Sequence, residues 1–354
     1  MIVHGDDDRL HPTEVLVARW LETLHNAGIP AESTVLRRVF CRDVISQRPS
    51  LDAFASAYPG SFSAIGQPPL NGAEMAIWSY HIIDPGNPPA GVGGGAEYLL
   101  NRGPLRHAWN TGLSETVAGS AEAQSFAVME KLDSWLAENH LTLSEDVVRT
   151  WWFVRDIDRD YPALVEARKA VFEKHGLTKD SHFIASTGIA GGHHNPAARL
   201  SLDTYAIGGL RTGQLEFISA PDHLGPTHRY GVTFERATSI SYSDRKHIFL
   251  SGTASINPEG EIVHPGDVVL QLARALENST ALLAAAGADL HDLLSMIIYL
   301  RNPDDAAAIE DQLRHRFDGI PMVIVHGPVC RPGWLVEVEG IACVPAHRPE
   351  FPDF

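Results

Sequence analysis

The sequence predicts an α/β protein in which two related αβ domains follow one another, residues 1–180 and residues 181–354. A helical pattern, an apolar strand pattern and a second helical pattern occur in this order twice along the chain. Residues 146–158 (DVVRTWWFVRDID) and residues 292–304 (DLLSMIIYLRNPD) align at a constant offset of 146 residues, with an arginine at each strand end. Repetition on this scale indicates a duplicated domain. The alternative is that any two helix–strand–helix units look alike.

The first domain is expected to be degenerate. In residues 1–110 we predict short strands and loops, with a single helix near residues 14–25. β-rich runs occupy residues 35–40 and 74–83. The pattern then predicts a helix, a strand and a second helix, at residues 116–140, 147–154 and 161–175.

The second domain is better defined. Gly266 and Asp267 open a helix that carries apolar residues on one face and closes at Gly287. A strand, a helix and two further strand runs are predicted after it, at residues 294–300, 304–317, 322–325 and 335–342.

Composition and charge exclude several classes of protein. The chain has 354 residues and a net charge of −16, so it offers no basic face for nucleic acid. No apolar run reaches membrane-helix length, and no signal-peptide order precedes the first domain. Three scattered cysteines favour a reducing cytosol. We find no dinucleotide or phosphate-loop motif, and His193-His194 lacks a third metal ligand, so no cofactor and no metal are expected.

Several motifs of the second domain resemble the RidA (YjgF-like) family. They are residues 251–254 (SGTA), the helix of residues 271–283, residues 297–301 (IIYLR) and residues 335–339 (LVEVE). The resemblance implies a mixed sheet with helices on one face. It also implies homotrimers whose ligand sites lie between subunits, because the uncovered sheet face needs a neighbour.

A longer set of motifs resembles the chorismatases, two-domain relatives with an extra N-terminal RidA-like domain. The set is residues 149–151 (RTW), 186–189 (STGI), 228–231 (HRYG), 251–255 (SGTAS) and 336–340 (VEVEG). It implies a cytoplasmic enzyme that releases pyruvate from the small anion chorismate. RidA imine deaminases hold their substrate with an arginine two residues after a proline, whereas Val323 follows Pro321 here. This departure favours chorismate chemistry over imine hydrolysis.

Glu337 is the expected general acid. Splitting the enolpyruvyl ether of chorismate requires a proton on the terminal methylene carbon, and a partly buried carboxylic acid can hold one near neutral pH. Glu337 has apolar strand neighbours and resembles the catalytic glutamate of chorismatases. Strand alternation puts Glu339 on the same face, either as a coupled partner or outside the pocket.

The resemblance also suggests which residues bind the substrate. Arg301, at its strand end, is similar to a chorismatase arginine and is the expected carboxylate clamp, with Tyr230 as a hydrogen-bond donor. Arg149 and Arg155 belong to the degenerate half and are expected to be structural.

Small residues are expected to shape the pocket. Gly252, with Ala254 in the same run, and Cys330 match small pocket positions, and Cys330 fits the 3-hydroxybenzoate-forming members. Product choice is then a matter of packing. Cys330 has no paired base and is not expected to act as a nucleophile. At Trp334 the sequence differs from the chorismatase pattern, in which a smaller aliphatic residue is expected.

Two other functions remain open from the sequence. One is a RidA-fold enzyme with a different small carbonyl, enamine or cyclic substrate, since one fold hosts many functions. The other is a non-catalytic metabolite-binding protein. A pocket lined by Glu337 but by no arginine would favour these two alternatives.

Overall fold

A computed structural model describes residues 1–6, 9–84, 91–117 and 119–354 of the chain. It contains three β-sheets, one after another along the sequence, and each sheet carries two helices. The fold is thus α/β as expected, but with three units where the sequence analysis distinguished two.

The first unit lies in the region that the sequence analysis interpreted as strands and loops. Its sheet has the strand order β1-β4-β2-β3, with β2 parallel to β3 and antiparallel to β4. The second helix was not anticipated from the sequence. The elements are β1 (Ile2–His4), α1 (Pro12–Asn26), β2 (Thr34–Cys41), α2 (Arg48–Ala57), β3 (Ser61–Gly66) and β4 (Met75–His81).

The second unit has a six-stranded sheet in the order β5-β6-β7-β10-β8-β9. Its last two strands lie beyond residue 180, so the domain boundary expected there falls inside this unit. The elements are β5 (Val92–Gly94), β6 (Glu97–Arg102), β7 (Leu105–Ser114), α3 (Ala121–Glu138), β8 (Val147–Val154), α4 (Ile157–Lys174), β9 (Ala185–Ala190) and β10 (Leu200–Gly208).

The third unit repeats that plan in the order β11-β12-β13-β16-β14-β15. The elements are β11 (Leu215–Ile218), β12 (Ala237–Ser241), β13 (Arg245–Ala254), α5 (Val268–Ala285), β14 (Leu293–Leu300), α6 (Ala306–Arg316), β15 (Met322–His326) and β16 (Val336–Pro345).

All three units share one core topology of strand, helix, strand, helix, strand, strand, which two further strands precede in the second and third units. The segments that align at an offset of 146 residues form β8 and β14, which take the same place in their sheets. β2 takes that place in the first unit. An arginine follows the central strand in each unit, namely Arg42, Arg155 and Arg301. The sequence repeat is therefore threefold at the level of structure.

Local sequence explains the helix boundaries. The side chains of Ser120, Asp156 and Asp267 accept hydrogen bonds from backbone N–H groups in the first turns of α3, α4 and α5. Gly287, with φ of 80°, follows the end of α5. No helix in the described part of the chain is long and apolar enough to cross a membrane.

Each sheet carries its helices on one face and turns the other face toward the remaining two sheets. A large buried apolar cluster there takes residues from all three units, for example Trp78, Trp151 and Tyr299. Separate apolar clusters lie under the helices of the first and second units. The sheet faces for which a homotrimer was expected are thus buried against one another within a single chain.

Candidate active site

A cavity lies between the second and third units. Helix α4 and strand β9 line one side, and strands β13 and β16 with residues 230–236 and 330–334 line the other. It encloses about 550 Å³, its open mouth included. The size and the mixed polar and apolar walls suit a small polar molecule.

Glu337 lies on β16 at the bottom of this cavity and is only 5% exposed. Its carboxyl group has no hydrogen-bond partner within the described residues. Burial, and then the negative charge of Glu339, raise the pKa of Glu337 to about 8 against the opposing effects of Arg149 and Arg236. A pKa raised in this way favours the protonated form of the Glu337 carboxyl group at neutral pH.

This raised pKa predicts how Glu337 affects stability. The folded state binds its proton more tightly than the unfolded chain, so the stability that the proton provides is complete below about pH 4.5 and is lost as the pH rises to about 8. We expect the free energy of unfolding of the wild type to fall across this window by a few kcal/mol more than that of Glu337→Gln. Denaturant unfolding of both proteins at pH 5 and pH 8.5 measures the difference. If the free energy of unfolding changed equally in both proteins between pH 5 and pH 8.5, the pKa of Glu337 would not be raised in the folded state.

Glu339 faces the same side of β16 but is held very differently. Its carboxylate accepts hydrogen bonds from Arg149 (2.7 Å), Trp151 (3.1 Å), Tyr299 (2.9 Å) and the hydroxyl of Thr187. The ion pair with Arg149 is almost completely buried. Glu339 is not part of the cavity wall, so its contribution to Glu337 is electrostatic.

Gly252 makes room for the acid. It lies on β13 next to a break in the regular register with β16, and its N–H donates to Thr187 at 2.9 Å. A Cβ atom built on Gly252 would lie 2.1 Å from Oε1 of Glu337. Any larger residue would therefore displace the carboxyl group.

The structure places most of the sequence-predicted residues in one wall. Ala254, Tyr230 and Cys330 all line the cavity with Glu337 and Gly252. Burial raises the pKa of the Cys330 thiol to about 12, with a further contribution from Glu337, so this cysteine is neutral. Its position in the wall is consistent with a packing role.

Tyr230 and Trp334 complete this side of the cavity. Burial raises the pKa of Tyr230, whose hydroxyl accepts a hydrogen bond from Arg236. The indole N–H of Trp334 donates to the carbonyl of Ser255 at 2.9 Å. Both rings contact the guanidinium of Arg331. The tryptophan that departs from the family pattern is therefore a fixed part of the wall.

Three arginines in the cavity were missed from the sequence. Arg168, Arg236 and Arg331 line it, and no carboxylate of the described residues forms an ion pair with any of them. Nη2 of Arg168 and Nε of Arg236 are buried and without a hydrogen-bond partner. Unpaired buried cations are unfavourable in the empty protein, so they indicate an anionic ligand. The sequence contained a sign of this burial for Arg168, because it lies one helical turn after the buried Leu164 on α4 and thus on the same face.

Arg301, the expected clamp, is not part of the cavity wall. Its guanidinium forms two hydrogen bonds with Asp158 (2.9 and 3.1 Å) and also donates to the carbonyls of Val329 and Trp334. Arg301 thereby ties the segment that carries Cys330 to the start of α4. Arg301 follows β14, and the segment that carries Cys330 follows β15. Because β14 and β15 are parallel neighbours, their carboxyl ends lie side by side, so the arginine reaches this segment.

Arg155 plays the same part in the second unit. It donates to the carbonyls of Ala198 (3.1 Å), His193 (2.8 Å) and Asn195 (2.9 Å). Arg149, in contrast, is the buried partner of Glu339. Both are in structural positions, outside the cavity wall.

Comparison with known proteins assigns the family. Residues 236–344 match the family model described as Endoribonuclease L-PSP. A RutC family protein of Pyrococcus abyssi is 37% identical over 27% of this chain and 76% of its own length. The chain belongs to the RutC family, which corresponds to the RidA-like resemblance of the sequence.

This RutC family chain also resembles proteins that match it over more of its length. The 3-hydroxybenzoate synthase of Streptomyces hygroscopicus is 29% identical over 55% of this chain, and the match covers 63% of that enzyme. A crystal structure of a chorismatase superposes with a TM-score of 0.65 at 18% identity and covers 88% of this chain and 93% of its own. The overall fold is therefore that of a chorismatase.

Another relative is the 2-iminobutanoate/2-iminopropanoate deaminase of Mus musculus, which is 29% identical over 35% of this chain and 84% of its own length. The position where the deaminases are expected to have an arginine is Val323, and this residue is fully buried in β15. It provides no guanidinium for a substrate carboxylate.

Proposed function

We propose that this protein releases pyruvate from chorismate and forms 3-hydroxybenzoate, with Glu337 as the general acid. The observation that carries the proposal is a buried carboxyl group with a raised pKa in a cavity that also contains three arginines without a carboxylate partner among the described residues. The chorismatase fold and the likeness to a 3-hydroxybenzoate synthase support the same reaction.

The proposed reaction begins with a proton transfer to carbon. Glu337 donates its proton to the terminal methylene of the enolpyruvyl group, and positive charge develops on the adjacent carbon, stabilised by the ether oxygen. The bond between that oxygen and the ring carbon then breaks, and its electron pair leaves with the oxygen, which becomes the carbonyl oxygen of pyruvate. The neighbouring ring hydroxyl closes on the ring carbon that loses the ether, and the ring becomes aromatic with the net loss of one proton, which restores the acid. The two products together contain all the atoms of chorismate, so no water is consumed.

The arginines match the two carboxylates of chorismate. Arg236 lies near Glu337 and has a buried, unpaired Nε, whereas Arg168 presents an unpaired Nη2 from α4. Arg331 stacks against Tyr230 and Trp334. A dianion requires such local positive charge in a chain with a net charge of −16. The clamp is thus assigned to these arginines in place of Arg301.

Product choice is proposed to follow from the wall beside the acid. Gly252 leaves space beside the carboxyl group of Glu337, and the side chain of Cys330 fills part of the same wall. A tight wall keeps water from the ring carbon that loses its oxygen, which favours an aromatic product over a hydrated diene.

One incubation tests the proposal. Purified protein with chorismate should release pyruvate, measured through lactate dehydrogenase, and equimolar 3-hydroxybenzoate, measured by chromatography. A dihydroxycyclohexadiene carboxylate would reject the product assignment but keep the chemistry. Without pyruvate release above the Glu337→Gln control, the substrate assignment is wrong.

Arg168→Met is expected to separate stability from binding. Methionine has a shape similar to that of arginine but no charge, so the substitution removes a buried cation that has no ion-pair partner among the described residues. The thermal midpoint should therefore be unchanged or higher. The KM for chorismate should rise by about tenfold or more, because a charge-assisted hydrogen bond is lost. Steady-state kinetics and thermal unfolding of the same preparation test both effects. A lower midpoint with unchanged KM would make Arg168 a structural residue.

A single chain is proposed to form the complete site. The cavity lies between two units of one chain, and the sheet faces that would otherwise need partner subunits are already buried. We expect sedimentation at micromolar concentration to give the mass of one chain, with full activity. A trimer that loses activity on dilution would contradict this expectation.

A further inference from the structure

A second cavity lies between the first and second units, at the place equivalent to the active site. Strand registers put Gly112 of β7 where β13 has Gly252, and Ala64 of β3 where β9 has Gly188. Gly188 and Gly252 line the first cavity, and Ala64 and Gly112 line the second. The second cavity encloses about 590 Å³ including its mouth, close to the volume of the first.

This second cavity lacks the general acid. The register of β10 puts Ser201 where β16 has Glu337, and the Ser201 hydroxyl is buried without a partner. Asp203, at the position of Glu339, is fully engaged by Arg38 (2.7 and 3.0 Å), Ser63 (2.8 Å) and the N–H of Gly112 (2.8 Å). Among the described residues that line this cavity, the one carboxyl group is that of Asp52, which forms an ion pair with Arg48.

The mouth of the second cavity nevertheless carries donors for an anion. Arg48 uses Nε for Asp52 (2.6 Å) and Nη1 for His194, which leaves Nη2 without a partner within the described residues. Nδ1 of His193 accepts a hydrogen bond from the N–H of Asn195 (3.1 Å), so its neutral ring carries the proton on Nε2 as a further donor.

Apolar side chains form part of the remaining wall, beside the hydroxyl groups of Ser63 and Thr111. Leu51 and Ala55 of α2 and Phe62 and Ala64 of β3 face this space. Asp52, beside Arg48, opposes a second negative charge on a ligand. The walls therefore combine an apolar surface with donors for one anionic group.

We propose that this cavity is a second, non-catalytic binding site for a small monocarboxylate with an apolar body. The carboxylate binds Arg48 and His193, and the apolar body lies against Ala55 and Phe62. The site is separate from the reaction proposed above and does not depend on it.

Benzoate is the probe, and calorimetry or ligand-observed NMR measures its binding to the full chain. All variants are made in the Arg168→Met background, which weakens any benzoate binding in the catalytic cavity. We expect saturable binding in that background. Arg48→Leu and Ala55→Leu should each lower the affinity about tenfold or more, by loss of a charge-assisted bond and by filling the cavity.

Arg42→Leu is the matched control, because the Arg42 side chain is 46% exposed, against 43% for Arg48, and does not line the cavity. It should bind benzoate like the background protein. Binding that survives both cavity substitutions, or no binding at millimolar benzoate, would overturn the proposal. If Ala55→Leu unfolds the first unit, Arg48→Leu still tests the proposal, because the Arg48 side chain is largely exposed and its loss should not unfold the protein. These readouts stay informative even if chorismate is not the substrate.

Discussion

Glu337→Gln is expected to lower the turnover of chorismate by roughly a hundredfold or more while the fold and the substrate affinity are retained. The amide has the size of the carboxyl group and can donate a hydrogen bond, but it cannot transfer a proton to carbon. Because Glu337 has no hydrogen-bond partner among the described residues, the substitution leaves no other group unpaired. Steady-state kinetics with a pyruvate assay, together with a binding measurement, test both parts.

Glu277→Gln provides a matched control, since Glu277 is an exposed glutamate on α5. It should leave turnover unchanged. Glu339→Gln is a different experiment, because it leaves Arg149 buried without its counter-charge and is expected to lower stability. Pyruvate release by Glu337→Gln at the wild-type rate would remove the general acid from the mechanism.

The pH profile provides a second test of the same residue. Activity should fall as the pH rises through about 8, because Glu337 then loses the proton that it donates. Loss of the negative charge of Glu339 lowers the pKa of Glu337, so Glu339→Gln should shift this decline to lower pH. A wild-type profile that is flat up to pH 9 would contradict the assignment.

Gly252→Ala is the second substitution for which we expect a large effect. The new methyl group would overlap Oε1 of Glu337, and that side-chain end can move without moving backbone. We expect the thermal midpoint to change little and turnover to fall by about tenfold or more, because the acid no longer points at the methylene carbon.

Gly119→Ala is the matched control for a glycine-to-alanine change, since nothing lies within 4 Å of a Cβ built there. It should leave turnover unaffected. The product ratio of Gly252→Ala is a further readout, because a displaced acid also opens space for water. Normal turnover with an unchanged product would show that Glu337 works from a different rotamer.

The sequence by itself determined the α/β class and the repeat, and it predicted the candidate acid Glu337. The offset of 146 residues identified β8 and β14 because buried central strands keep their apolar pattern and their length. Strand alternation put Glu337 and Glu339 on one face, as the structure shows. The first unit was missed as a third copy because its first strand, Ile2–His4, is short and its polar residues differ from those of the other two units.

Only the tertiary structure decided which charges meet. Glu339 lies 190 positions from Arg149, and Arg301 lies 143 positions from Asp158, so no local pattern could connect them. Arg301 was expected to bind the substrate from its resemblance to a chorismatase arginine, whereas the structure pairs it with Asp158 on a helix of another unit. The cavity takes Arg168 from the second unit and Arg236 and Arg331 from the third. Periodicity reports which face of an element is buried, whereas the packing of the units determines what that face contacts.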